Sequence, residues 1–144
     1  HDALPIYQVY NFTKTLIKKT ASGEISWEIL STLSPVESGF PDIIEKTSER
    51  VFTNEYRQIL PLNSFFFYHH EGIVALIRID NTSGRDGSHH SDYALYLQTK
   101  KNSPPKVYDN KSFQEQFNLL NTTIINYLNK DDSMPDDLYQ FMQF

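Results

Sequence analysis

The chain contains no cysteine, which excludes disulfide frameworks, thiol nucleophiles and zinc–thiolate centres together. It has only five glycines in 144 residues and neither a P-loop nor a G-x-G-x-x-G run, so no backbone cradle for phosphate is written in it. Arginine is equally scarce. Arg50, Arg57, Arg78 and Arg85 are the four, and Asp86 follows Arg85 directly. With a formal charge of −5, the chain lacks the positive field that non-specific duplex binding requires. No apolar run approaches the roughly 18 residues of a membrane helix; the longest are Phe65–Tyr68 and Ile73–Ile77. No basic, apolar and small-residue succession opens the chain, so no secretory signal is read. There is no G-x-S-x-G elbow. The acids fall in loops and helix ends rather than as a converging pair. The expectation is a non-enzymatic protein without cofactor, metal or membrane partner.

What the chain does have is aromatic side chains, at 14%. Each buries a large area, so a core can form without covalent staples. A length of 144 residues fits a single domain spanning 1–144. Charge is unevenly placed. Lys14, Lys18 and Lys19 cluster near the end of the first segment, and Asp131, Asp132, Asp136 and Asp137 crowd the last one. The three lysines read as a solvated helix end favoured by the helix dipole.

Apolar periodicity gives the architecture. After Pro5, which suits a first helical turn, the residues Ile6, Val9, Tyr10, Thr13, Leu16 and Ile17 recur at helical spacing. Gly23 is the expected stop. Ile25 and Trp27 alternate with polar residues over a short strand or hook. Trp27 is the sole tryptophan and reads as a core anchor whose N–H seeks a backbone acceptor. Residues 34–49 read as a loop with a helical turn at Ile43–Lys46. From Arg50 the period is two. A candidate strand carries Phe52, Tyr56 and Leu60 and is broken at Pro61.

Ser64–His70 is a strong strand. Ile73–Asp80 is apolar on both faces, the mark of a central strand. Asn81–Ser91 reads as a polar loop, Tyr93–Thr99 as a further strand, and Val107-Tyr108 as a short edge strand. Ser112-Phe113-Gln114-Glu115 matches a capping box, followed by a stripe of Phe113, Phe117, Leu120, Ile124, Tyr127 and Leu128. Residues 133–144 form a short C-terminal helix or tail. The fold class is therefore α+β: an antiparallel meander of three to four strands, flanked by an N-terminal and a C-terminal helix packed on one face.

An N-terminal helix runs into Gly-Glu-Ile-Ser-Trp-Glu at 23–28. An Asn-Ser-Pro-Pro turn follows at 102–105, and a Gln-Glu-Gln helix start at 114–116. In this order the chain resembles small uncharacterised proteins of Gram-positive bacteria and their phages or mobile elements. The resemblance implies a bacterial or phage protein acting in the cytoplasm and carries over no functional residue.

Several groups invite a functional reading. His69-His70 and His89-His90 look like metal ligands. The intervening strand of eight residues, however, separates the pairs by roughly 26 Å, and adjacent strand residues face opposite ways. A weak metal site in the 81–92 loop, using His89, His90, Asp86 and Asp92, is one alternative. Another is a stacking platform of Phe66, Tyr68, Tyr93 and Tyr96 for single-stranded nucleic acid, which the acidic charge disfavours. N-x-S/T triplets begin at Asn11, Asn81, Asn110 and Asn121. Two of them lie in predicted helices, and the set reads as chance.

The tail carries Leu138, Phe141, Met142 and Phe144. It is expected either to fold back on the core or to present a partner-binding segment. The reading preferred overall is a non-enzymatic module that binds a protein partner or regulates one, with homo-oligomer formation left open.

Overall fold

The computed structural model describes residues 6–45, 50–52, 55–130 and 136–143. The α+β class is as expected. The first helix, α1, spans Ile6–Ala21. It ends in a Schellman turn: Glu24 N–H donates to Lys19 O, Gly23 N–H donates to Thr20 O, and Gly23 holds φ 80°. Its buried stripe is Val9, Thr13, Leu16 and Thr20. Of the expected stripe, Val9, Thr13 and Leu16 are buried and Ile17 packs partly against the core, while Ile6 and Tyr10 are exposed. Threonines serve at the helix contact since each hydroxyl is satisfied by the carbonyl four residues back, Thr13 by Val9 and Thr20 by Leu16.

Seven antiparallel strands form one sheet: β1 (Glu28–Ile29), β2 (Arg50–Phe52), β3 (Glu55–Ile59), β4 (Phe65–His69), β5 (Gly72–Ser83), β6 (His89–Gln98) and β7 (Lys106–Tyr108). This corrects the count of three to four. The single strand expected from Arg50 is a hairpin of β2 and β3. The polar loop expected at 81–91 shrinks to a turn, because β5 and β6 stay paired out to Thr82↔His89. Polar residues there carry no apolar alternation, yet the backbone ladder continues without it. Gly87 at φ 70° and an Asp86 carboxylate accepting from Ser88 N–H close that turn.

β5 is the spine. β6 pairs along its whole length on one side, while β3 and β4 lie end to end along the other. Between them residues 60–64 bulge outward, with Pro61–Asn63 as a 3-10 turn. The ladder is carried across this gap by Leu60 N–H to Arg78 O and by one side chain. Ser64 Oγ accepts from Arg78 N–H at 2.9 Å and donates to Leu60 O at 2.8 Å. Ser64 is fully buried. Ser64→Ala is expected to cost about 2 kcal/mol, since it strands a buried donor and an acceptor; chemical denaturation measures it.

Both sheet faces are covered. On one, α1 and α4 (Gln114–Leu128) pack over Phe65, Val74, Leu76 and Leu95, which places the two long helices on one face as expected. On the other, the connection from Leu30 to Ile43 lies over Phe66, Ala75, Ile77 and Tyr96. It contains a 3-10 turn at Leu30–Thr32 and the short helices α2 (Pro35–Ser38) and α3 (Asp42–Glu45). A stretch with no apolar period thus supplies Leu30, Phe40 and Ile43 as fully buried lids.

The capping box is also corrected. Ser112 sits in a 3-10 turn, Lys111–Phe113, and α4 starts without a side-chain cap. Gln114 is drawn to the sheet instead. Its Oε1 accepts from Tyr93 N–H at 2.7 Å and its Nε2 donates to Tyr93 O at 2.8 Å. One side-chain amide thereby stands in for a neighbouring strand beside β6. The last element, α5, spans Asp136–Phe141.

Candidate interaction groove

A concavity arises where β1 leaves β4. The two pair only as Glu28↔Phe66 and Ile29↔Phe65. The preceding residues 24–26 swing away toward the end of α1, opening a wedge against Phe67–His69. It encloses about 680 Å³, within the usual range for a ligand cleft. Phe12, Leu16, Ile25 and Phe67 make its apolar lining, and Thr15, Lys19, Glu24 and Ser26 its polar part.

The backbone of β4 adds directional groups. Leu30 N–H donates to Ser64 O, so residues of that parity turn their N–H and C=O away from β5. Along a strand this alternates, which assigns the same outward direction to Phe66 and Tyr68. Glu28 covers Phe66. No strand among the described residues lies opposite Tyr68, and its backbone edge faces the wedge. Unpaired strand edges of this kind are templates for an added chain.

The walls are held by a short relay. Trp27 Nε1–H donates to Thr20 Oγ1 at 2.8 Å, and that hydroxyl donates to Leu16 O at 2.6 Å. The indole also meets Phe67 edge to face at 4.7 Å. Trp27 is the expected anchor, but its acceptor is a side-chain hydroxyl rather than a backbone carbonyl. At the mouth, Lys19 Nζ lies 3.6 Å from Glu24 Oε1. The Glu24 carboxyl is held below its usual range by the Ser22 hydroxyl and then by Lys19.

His69 divides the wedge from a smaller hollow of about 180 Å³, which shares Phe12 with it. Its ring lies 5.8 Å from Phe67 and 4.1 Å from His70. Partial desolvation, with His70 beside it, keeps the imidazole below its usual pKa and so biased to the neutral form.

The other candidates are dispersed. His69-His70 and His89-His90 lie at opposite ends of β5, next to Gly72 and opposite Thr82 and Asn81 respectively. His89 is on the sheet face of Asp80 and Thr82, at 3.6 and 3.0 Å. His90 is on the other face, 3.5 Å from Asp92, whose carboxylate accepts from Asn81. Asp86 is engaged in the turn. Among the described residues no three metal-ligating side chains converge.

Phe66, Tyr93 and Tyr96 are buried, and Tyr93 is on the opposite face from the other two. The alternative of a stacking platform therefore finds no exposed sheet face in these residues; Tyr68 alone of the four is exposed. Asn11 lies in α1, Asn81 on β5, Asn110 before the 3-10 turn that precedes α4, and Asn121 is buried within α4. Lys14, Lys18 and Lys19 are exposed along α1, as expected. No described helix is long and apolar enough to cross a membrane.

Among the described residues of the tail, none belongs to either core. Leu138, Phe141 and Met142 are 45%, 83% and 56% exposed. Phe144 lies outside the described residues. Sequence assigns no binding role to the groove residues Phe12, Leu16, Ser26 and Phe67, and places Leu16 only in the helical stripe. Their only signal was the Ile25/Trp27 alternation, which marks a strand but not its divergence from β4. Comparison with protein-family models, curated proteins and solved structures gives no match to this chain.

Proposed function

We propose that the protein acts by binding another protein and performs no chemistry of its own. The wedge beside β4 would be its receiving site. The observation that carries this reading is the combination in one groove of an apolar lining with the outward backbone of Tyr68. Apolar side chains of a bound segment would enter between Phe12, Leu16, Ile25 and Phe67, and its main chain would bond Tyr68, the division of labour seen in strand addition. The sequence resemblance supports a bacterial or phage setting and a cytoplasmic location. It also supports a regulatory role toward a host protein.

The test is selection of peptides on the full chain from a displayed random library, followed by chemical-shift mapping. Selected peptides are expected to shift Thr15, Ser26 and Tyr68 amides. Ser26→Trp, which fills an exposed part of the wedge, is expected to weaken them at least ~10-fold, the loss of about 1.4 kcal/mol. Shifts confined to other surfaces would refute the groove as the site.

A further inference from the structure

We infer that the natural occupant of the groove is the α5 segment of a second copy of this chain, exchanged reciprocally about a twofold axis. The inference rests on the reading of the groove as a binding site; a helical occupant meets the apolar lining only, leaves the Tyr68 backbone unbonded, and would be displaced by a target protein's extended segment. Leu138 and Phe141 fall at i and i+3 on α5, Met142 follows its end with its N–H on Leu138 O, and all three are exposed. A helix of six residues is too short to be stable by its own hydrogen bonds, so an apolar stripe on it needs a surface to lie against. The groove offers the matching apolar lining.

Charge points the same way. Residues 131–137 include four aspartates, and Asp137 is exposed on α5. The last turn of α1 carries Lys18 and Lys19 against the Glu24 carboxylate at the groove mouth, which leaves that end net positive. Placement agrees. A Cβ on Gly23, just past the end of α1, would lie 2.7 Å from the Tyr127 hydroxyl near the end of α4. The C-terminal ends of α1 and α4 are therefore together, so α4 ends on the side of the molecule that holds the groove. Within one chain Phe141 stays exposed and the groove stays open. Reciprocal exchange fills both, and it closes at two copies as an isologous dimer.

The experiment is sedimentation equilibrium of the full chain over a wide concentration range. The wild type is expected to reach twice the chain mass. Phe141→Asp in α5 and Ser26→Trp in the groove are each expected to raise the dimer dissociation constant more than ~10-fold. Val36→Asp, at an exposed apolar residue elsewhere, is expected to leave it unchanged. Phe141→Asp and Ser26→Trp chains mixed together are expected to recover a mixed dimer, because one intact groove meets one intact α5.

A wild type that stays monomeric overturns the inference, including the case in which Phe141→Asp shifts groove amides and so reveals its own α5 as occupant. A dimer broken by Phe141→Asp but indifferent to Ser26→Trp also overturns it. The groove reading fails separately, if selected peptides are indifferent to Ser26→Trp.

Discussion

Gly72→Ala is expected to destabilise the protein by about 3 kcal/mol, the upper end of the usual cost of overpacking. Gly72 is fully enclosed at the start of β5, and its backbone is not left-handed. The requirement for glycine is close approach. An added Cβ would lie 2.0 Å from Gln98 O, 2.6 Å from Thr99 C and 2.7 Å from Thr99 O. All three are backbone atoms, so no side chain can rotate aside. Either the end of β6 must separate from β5 or the His69–Gly72 end of the β4–β5 hairpin must shift, and both changes disturb the spine of the sheet.

Gly87 is the contrasting position. It holds φ 70° with nothing within 4 Å of its Cβ site, so Gly87→Ala meets only the left-handed penalty of roughly 1–2 kcal/mol. Urea unfolding followed by fluorescence of the single tryptophan compares the two variants directly. Equal losses would show that the close approach at Gly72 costs no more than the left-handed conformation at Gly87.

The elements that were legible are those in which periodicity and burial coincide. β4 and β5 were plain because Phe65–Tyr68 and Ile73–Ile77 are apolar on both faces and the sheet is covered on both. α1 was legible in type but only partly in facing. Its contact side includes Thr20, which a hydrophobic pattern passes over, while Ile6 and Tyr10, which that pattern includes, are exposed. The outer halves of β5 and β6 were hidden because Thr82, His89 and His90 are polar, and backbone pairing leaves no trace in side-chain type. The Leu30–Ile43 lid was hidden for a related reason, since Leu30, Phe40 and Ile43 are buried at irregular spacing.

The groove was the least legible feature. It depends on two segments parting after Glu28, and the direction in which a chain leaves a ladder is set by what packs beneath it. Here that is Trp27 against Thr20 and Phe67. The Ser112–Glu115 signature failed because a glutamine amide found two partners on Tyr93. That exchange of hydrogen bonds outweighs a terminal cap, which is worth about 1 kcal/mol.

The same packing makes Trp27→Ala the substitution with the largest expected effect. Removing the ring empties a site that is almost fully buried, at a cost of about 3–5 kcal/mol for a large aromatic truncated to alanine. The loss has two parts that a second variant separates. Trp27→Phe keeps an aromatic ring against Phe67 but removes the indole N–H. Thr20 Oγ1 still donates to Leu16 O, so it loses only an incoming donor, and this variant is expected to cost about 1 kcal/mol for the hydrogen bond plus the volume difference. Thermal unfolding by circular dichroism measures both without the lost fluorophore. A consequence for binding follows from position. Trp27 fixes the end of α1 to β4 through Thr20 and Phe67, and those two elements are the walls of the groove. Trp27→Phe, which stays folded, is therefore expected to loosen the spacing between Leu16 and Phe67 and to weaken groove ligands more than a substitution of equal stability cost in the opposite core, such as Ile77→Val. Equal effects on binding from the two would mean that the groove is set by global stability and not by this relay.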